Sequence, residues 1–104
     1  MWIFLTDNFL SIVAHRELPD HLLVRARKRG GIERVFPEAG VQETRNADYR
    51  YRAEILRARV AEVLAAQAQA IDYDNFKSHV NNPARHDAYL GCWSVMSRYQ
   101  AGAK

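Results

Sequence analysis

Apolar positions are spaced in two ways along the chain. Up to about residue 56 they form short runs or alternate with polar residues; beyond it they recur every three or four positions. Trp2 to Thr6 is aromatic and β-branched, and Phe9 to Arg16 is a second apolar run. Thr6-Asp7-Asn8 between them is a turn signal, so the pair predicts a β-hairpin. Asp7-Asn8 would supply the positive φ angles of a tight turn. Glu17-Leu18-Pro19-Asp20 ends the second strand, because proline cannot donate to a ladder. His21 to Lys28 then reads as a third strand, completing an antiparallel meander.

Gly30-Gly31 breaks that strand. Ile32, Val35 and Phe36 follow at helical spacing before Pro37, which predicts one short helix. Residues 37–48 are polar, with room for a short strand around Val41 to Thr44, and Tyr49 to Ile55 alternates as a strand with one wet face. From Arg57 to Ala70 the stripe of Leu56, Val60, Val63, Leu64, Gln67 and Ile71 predicts an amphipathic helix. Asp72 or Asp74 would cap a short helix reaching Phe76 and Val80. Asn82-Pro83 opens a last helix to about Gln100, with Asn as N-cap and proline at the first helical position. Its stripe is Tyr89, Leu90, Trp93, Met96 and Tyr99 or Gln100, whose ordinary use is burial against a sheet; residues 101–104 are expected to fray. The fold class expected is α+β: an antiparallel sheet of four or five strands, packed on one face by helices, in a two-layer ferredoxin-like or related arrangement. Residues 1–100 would form a single domain.

Composition narrows the function. The chain has 104 residues, 48% of them hydrophobic, with one cysteine. That length and apolar content suit a folded domain and exclude a disordered tail, and a lone thiol excludes an internal disulfide. The apolar start lacks a basic leader and is interrupted at Asp7-Asn8, so a cytoplasmic protein with no membrane span is expected.

Charge is distributed unevenly. Residues 16–34 carry six basic and three acidic side chains and residues 45–59 carry five and two, whereas the remainder carries four and seven. Strand parity places Leu22, Val24 and Ala26 on one face of the third strand and Leu23, Arg25 and Arg27 on the other. In the later strand Tyr49, Tyr51, Ala53 and Ile55 share a face, opposite Arg50, Arg52 and Glu54. If helices cover the apolar faces, the open face presents Arg25, Arg27, Arg50 and Arg52. Such a face suits an acidic protein surface or single-stranded nucleic acid, or simply solvates the sheet. The tyrosines flanking the arginines point away from them, so a stacking platform would have to come from Trp2, Phe4 or Phe9, whose direction parity does not fix.

No catalytic constellation emerges. His79 and His86 are separated by the Asn82-Pro83 break, and His86 and Cys92 lie about 240° apart around one helix, too far to act as base and nucleophile. His15 and His21 flank a turn and are expected at the surface, and Cys92 is expected to be a small buried hydrophobe. Asp72, Asp74, Asn75 and Asp87 lack the loop pattern of a calcium site. Gly30-Gly31 is not part of a phosphate loop, and no serine sits in a Gly-x-Ser-x-Gly context. The expectation is a non-enzymatic protein with no cofactor and no metal ligands. The last helix offers a second surface: Tyr89, Trp93, Met96 and Tyr99 are types favoured at interfaces, including that of a homodimer.

The segments Met1-Trp2-Ile3-Phe4, Thr6-Asp7, Leu22-Leu23-Val24-Arg25-Ala26-Arg27, Asp48-Tyr49-Arg50-Tyr51-Arg52, Ile71-Asp72-Tyr73-Asp74-Asn75-Phe76-Lys77 and Trp93-Ser94-Val95-Met96 together resemble a family of uncharacterised bacterial and phage-associated proteins of about this length. The chain departs from that pattern at Asn8, where glycine is expected, and at Gly31, where an acidic helix start is expected. The resemblance implies no reaction. The absence of a catalytic constellation, the arginine-bearing sheet and the aromatic last helix lead to the expectation of a small binding protein docking on a protein or nucleoprotein partner, and the association with phage suggests an anti-CRISPR-like inhibitor of a host defence complex. Direct binding of single-stranded nucleic acid by the basic sheet face is the alternative.

Overall fold

The computed structural model describes residues 1–102. Five strands form one antiparallel sheet: β1 (Trp2–Leu5), β2 (Asn8–Ala14), β3 (His21–Ala26), β4 (Gln42–Glu43) and β5 (Tyr51–Leu56), in the spatial order β1-β2-β3-β5-β4. Helix α1 (Gly31–Val35) follows β3, and α2 (Arg57–Gln69) follows β5 directly. This is the expected α+β class with an antiparallel sheet. The connectivity is of the related kind, since a three-stranded meander leads and the β-α-β-β-α-β order of ferredoxin-like folds is absent.

Leu5 pairs with Asn8, so the hairpin loop is Thr6-Asp7 alone. The positive φ angles expected at Asp7-Asn8 are not there; among the described residues only Gly30 has one, at 82°. Asn8 serves instead as a buried strand residue whose Nδ2 donates to the Gly31 carbonyl. A Cβ on Gly31 would lie 2.6 Å from Asn8 Oδ1, so the α1 start and the β2 start approach as closely as they do because residue 31 has no side chain.

One face of the sheet is dry. Leu10, Ile12, Val24, Ala26, Tyr51, Ala53 and Ile55 pack there against Ile32, Val35 and Phe36 around α1 and against Val60 and Val63 of α2. Ile12, Val24 and Ala53 are consecutive cross-strand partners, which shows how strict alternation in β3 and β5 delivers one apolar face. The α2 stripe is used only in its middle: Val60 and Val63 are buried and Leu64 packs half-buried against the core, whereas Leu56 at its start and Gln67 and Ile71 at its end are exposed.

The chain divides into two compact units, Met1–Asp72 and Tyr73–Lys104. In the second, a 3-10 turn (Lys77–His79) precedes α3 (Pro83–Gly102). Asp72 and Asp74 do not cap that turn. Asn75 organises it, accepting from the Ser78 N–H at 3.4 Å on Oδ1 and from the Ser78 hydroxyl at 3.0 Å on its backbone carbonyl. The Asn82 N-cap is present as expected, with Oδ1 2.9 Å from the Arg85 amide. Ala101 and Gly102, expected to fray, are helical; residues 103 and 104, also part of that expectation, lie outside the described residues. No helix among the described residues is long and apolar enough to cross a membrane.

Candidate binding surfaces

The face of the sheet opposite the core is built by the same register. Trp2 pairs with Ser11, Ser11 with Arg25, Arg25 with Arg52, and Arg52 with Gln42, so one cross-strand row runs through all five strands. Facing residues of a row share a face. Arg25 and Arg52 lie on the face that strand parity predicts, and the β3–β5 register makes them direct neighbours. Like charges in that position repel, and the structure answers with acceptors and a ring. Arg25 Nη2 donates to Ser11 Oγ at 2.7 Å, and Arg52 Nε donates to the Tyr49 carbonyl at 3.2 Å. Asp48 lies 3.4 Å from Arg52 Nη2.

Tyr49 is the main departure from the parity reading. It does not share the core face with Tyr51. β5 begins at Tyr51, so residue 49 precedes the strand and is not bound by its alternation. The Tyr49 ring is buried between two guanidinium groups, Arg25 at 4.5 Å and Arg27 at 4.2 Å from its centroid, and Arg27 Nη1 also donates to the Asp48 carbonyl at 2.9 Å. Cation–π contact lets the ring shield the two arginines from each other, and Arg25 Nε is buried there without a hydrogen-bond partner. Of the four expected arginines, Arg25, Arg27 and Arg52 thus converge on the 48–49 segment, and Arg50 is exposed outside this sandwich.

Sequence parity left the aromatic residues of the hairpin undirected, and the register directs them. Trp2 lies on the arginine row, and Phe4 pairs with Phe9 on the same face. Phe9 links the rings, 6.1 Å from Trp2 in an edge-on contact and 4.7 Å from Phe4. Trp2 remains 68% exposed. Both faces of β2 are apolar, so Phe9 and Leu10 look alike in sequence; the signal that separates them is the two-residue turn, which fixes Leu5 opposite Asn8.

The open face also carries one carboxylate, Glu54, bonded to His15 Nε2. His15 Nδ1 accepts the amides of Glu17 and Leu18, each at 3.1 Å, so the proton sits on Nε2 and the ring clips the β2–β3 turn to β5. His15 is accordingly half-buried, not a free surface residue. At the end of that turn the His21 ring bonds Asp20 and holds its carboxyl below the usual range.

Helix α3 presents a different surface. Tyr89 is buried and stacks on Phe76 with ring centroids 5.7 Å apart, inside a cluster that includes Tyr73 and His79. Beyond it the stripe stays uncovered, against the expectation of burial: Trp93 is 55%, Met96 60% and Tyr99 71% exposed, and Leu90 and Val95 are exposed too. Cys92 is likewise exposed, contrary to the buried role expected for it. Tyr89, Cys92, Met96 and Tyr99 follow a three-four-three spacing, which puts them along one side of the helix. Lys77 lies over the Trp93 ring at 4.1 Å, and Arg98 is the one charged residue between positions 88 and 102.

Among the described residues no group of three or more His, Cys, Asp or Glu side chains is placed to hold a metal ion. No protein-family model matches the chain, and no curated protein or solved structure matches it either.

Proposed function

We propose that this chain is a non-enzymatic, cytoplasmic binding protein that docks on a protein or nucleoprotein partner through the exposed side of α3. The observation that supports this reading is the uncovered stripe of Trp93, Met96 and Tyr99. Monomeric proteins rarely leave contiguous apolar side chains in water, and aromatic residues with methionine are the types enriched where partners meet. Near-absence of charge along the same stretch removes the usual solvating face of a surface helix. Docking by such a helix needs a groove on the partner that takes anchors at i, i+3 and i+6, here Trp93, Met96 and Tyr99. The resemblance to phage-associated proteins extends the proposal to inhibition of a host defence complex, a function performed by occupying a surface.

The test is capture by the tagged full chain from lysate of its own organism, with and without nuclease. A discrete partner retained by the parent chain and lost by both Met96→Lys and Tyr99→Lys, with unchanged circular dichroism, supports the proposal. Capture that is indifferent to those substitutions overturns it. Concentration-dependent dimerisation abolished by the same variants, with no foreign partner, also overturns it and assigns the stripe to a second copy.

A further inference from the structure

The open sheet face is a separate surface with its own chemistry. Across the row Trp2, Ser11, Arg25, Arg52 and Gln42, a largely exposed indole stands two strands from a pair of facing guanidinium groups, with Arg27 beside them over Tyr49. We infer that this face binds single-stranded nucleic acid, stacking a base on Trp2 and receiving phosphates at Arg25, Arg27 and Arg52, with Arg50 adding charge at the rim.

Three observations favour that ligand. Arg25 and Arg27 are not neutralised in pairs as other arginines in the chain are: Arg52 has Asp48 at 3.4 Å, Arg59 holds Glu38 at 2.7 Å and also binds Glu62, Arg29 holds Glu43 at 3.1 Å, and Arg34 holds Asp7 at 3.6 Å. Arg25 and Arg27 instead meet neutral acceptors and a ring, so their charge remains to attract an anion. The second observation is the indole. An acidic peptide would answer the arginines and leave Trp2 in water, whereas a nucleotide presents both a phosphate and a π-face. The third is shape. A sheet face with an aromatic residue at one side cannot read bases inside a duplex, but splayed bases of a single strand lie on such faces. Phe9 backs the indole edge-on and fixes its position for stacking.

The experiment measures binding of labelled ten-nucleotide uridine RNA and thymidine DNA strands by the full chain, using anisotropy at several salt concentrations. In a Trp93→Phe background the remaining indole, Trp2, also reports stacking by fluorescence quenching. Binding is expected at low salt, with log affinity falling against log salt by about 0.7 per phosphate engaged. Trp2→Ala should weaken it roughly 5- to 100-fold, and Arg50→Ala should flatten the salt slope by about 0.7. Both residues lie outside the Tyr49 sandwich and are exposed, so the fold is retained, as circular dichroism would verify. A stronger response to RNA than to DNA would place the 2′-hydroxyl in the site, and equal responses would place only base and phosphate there; either fits the inference. No binding at low salt, affinity unchanged in Trp2→Ala, or equal binding of a poly-glutamate peptide overturns it.

Discussion

Asn8 and Gly31 are far apart in sequence, and each is legible only through the other. A buried asparagine at the head of a strand is costly unless its amide is bonded, and the bond it finds is to the Gly31 carbonyl. The approach that makes this bond leaves no room for a side chain at residue 31. Gly31→Ala should therefore destabilise the fold by about 1–3 kcal/mol through overpacking. In an Asn8→Gly background the obstructing Oδ1 is gone, and the same substitution should cost less, giving a coupling of about 0.5–3 kcal/mol in a double-mutant cycle read by urea unfolding. Strictly additive effects would show that the two positions do not meet. Glu38 offers a second residue-level test. Hydrogen bonding from Arg59 lowers its pKa from the ordinary 4.5. A carboxyl depressed in the folded state adds stability above its unfolded value, and that contribution is lost as pH falls through the folded one. Glu38→Gln should accordingly flatten the fall of melting temperature below about pH 4.5 and change little at pH 7, where both groups are exposed to solvent and screening is strong. Identical acid profiles for the two proteins would rule the pairing out.

At the scale of elements, the decisive question is which apolar stripes are covered. Strands β3 and β5 are readable because each alternates between a buried and a wet face, so parity alone puts Arg25 and Arg52 on the open face, away from Val24, Ala26 and Ala53; that the two face each other comes from the β3–β5 register, which alternation does not fix. β2 was not readable in this way, since Phe9, Leu10, Ile12 and Val13 are all apolar and either parity satisfies the pattern. The position of Tyr49 was misread for a related reason: alternation was carried two residues beyond the strand's start, into a segment held by arginine side chains and not by ladder bonds. Helical periodicity locates α2 and α3, and Asn82-Pro83 marks the start of α3, but period identifies a stripe without saying what lies over it. The difference is measurable within the first unit. Phe36, fully buried after α1, should cost roughly 3–5 kcal/mol when changed to Ala, whereas Ile71, exposed beyond the end of α2, should change stability by no more than about 0.5 kcal/mol when changed to Ser. Equal losses at the two sites in urea denaturation would mean that the end of the α2 stripe is covered in solution.

For the whole molecule, the division at residue 72 separates two kinds of stability. Every residue of the main core cluster lies between Leu10 and Val63, inside the first unit, together with all five strands and both helices that pack on them. Among the described residues the second unit has no comparable core; the buried side chains there are Val80 and Tyr89, and its order comes from ring stacking around Phe76 and from the hydrogen bonds of a long helix. A helix so lightly buried draws little from the hydrophobic effect, which is the larger source of helix stability in proteins. A chain of residues 1–72 should consequently still fold. Domains of this size bury only about 60% of the surface their unfolded chains expose, so the truncated protein is expected to be less stable than the parent and to show a smaller urea m-value, while still unfolding in one cooperative step. Amide exchange would locate the protection: slow exchange at β2, β3 and β5 should persist in the truncated chain, because those ladders and their helical cover are all retained. If the truncated chain is unfolded at 25 °C, the sheet depends on residues 73–104, and the core cluster of the first unit is insufficient by itself.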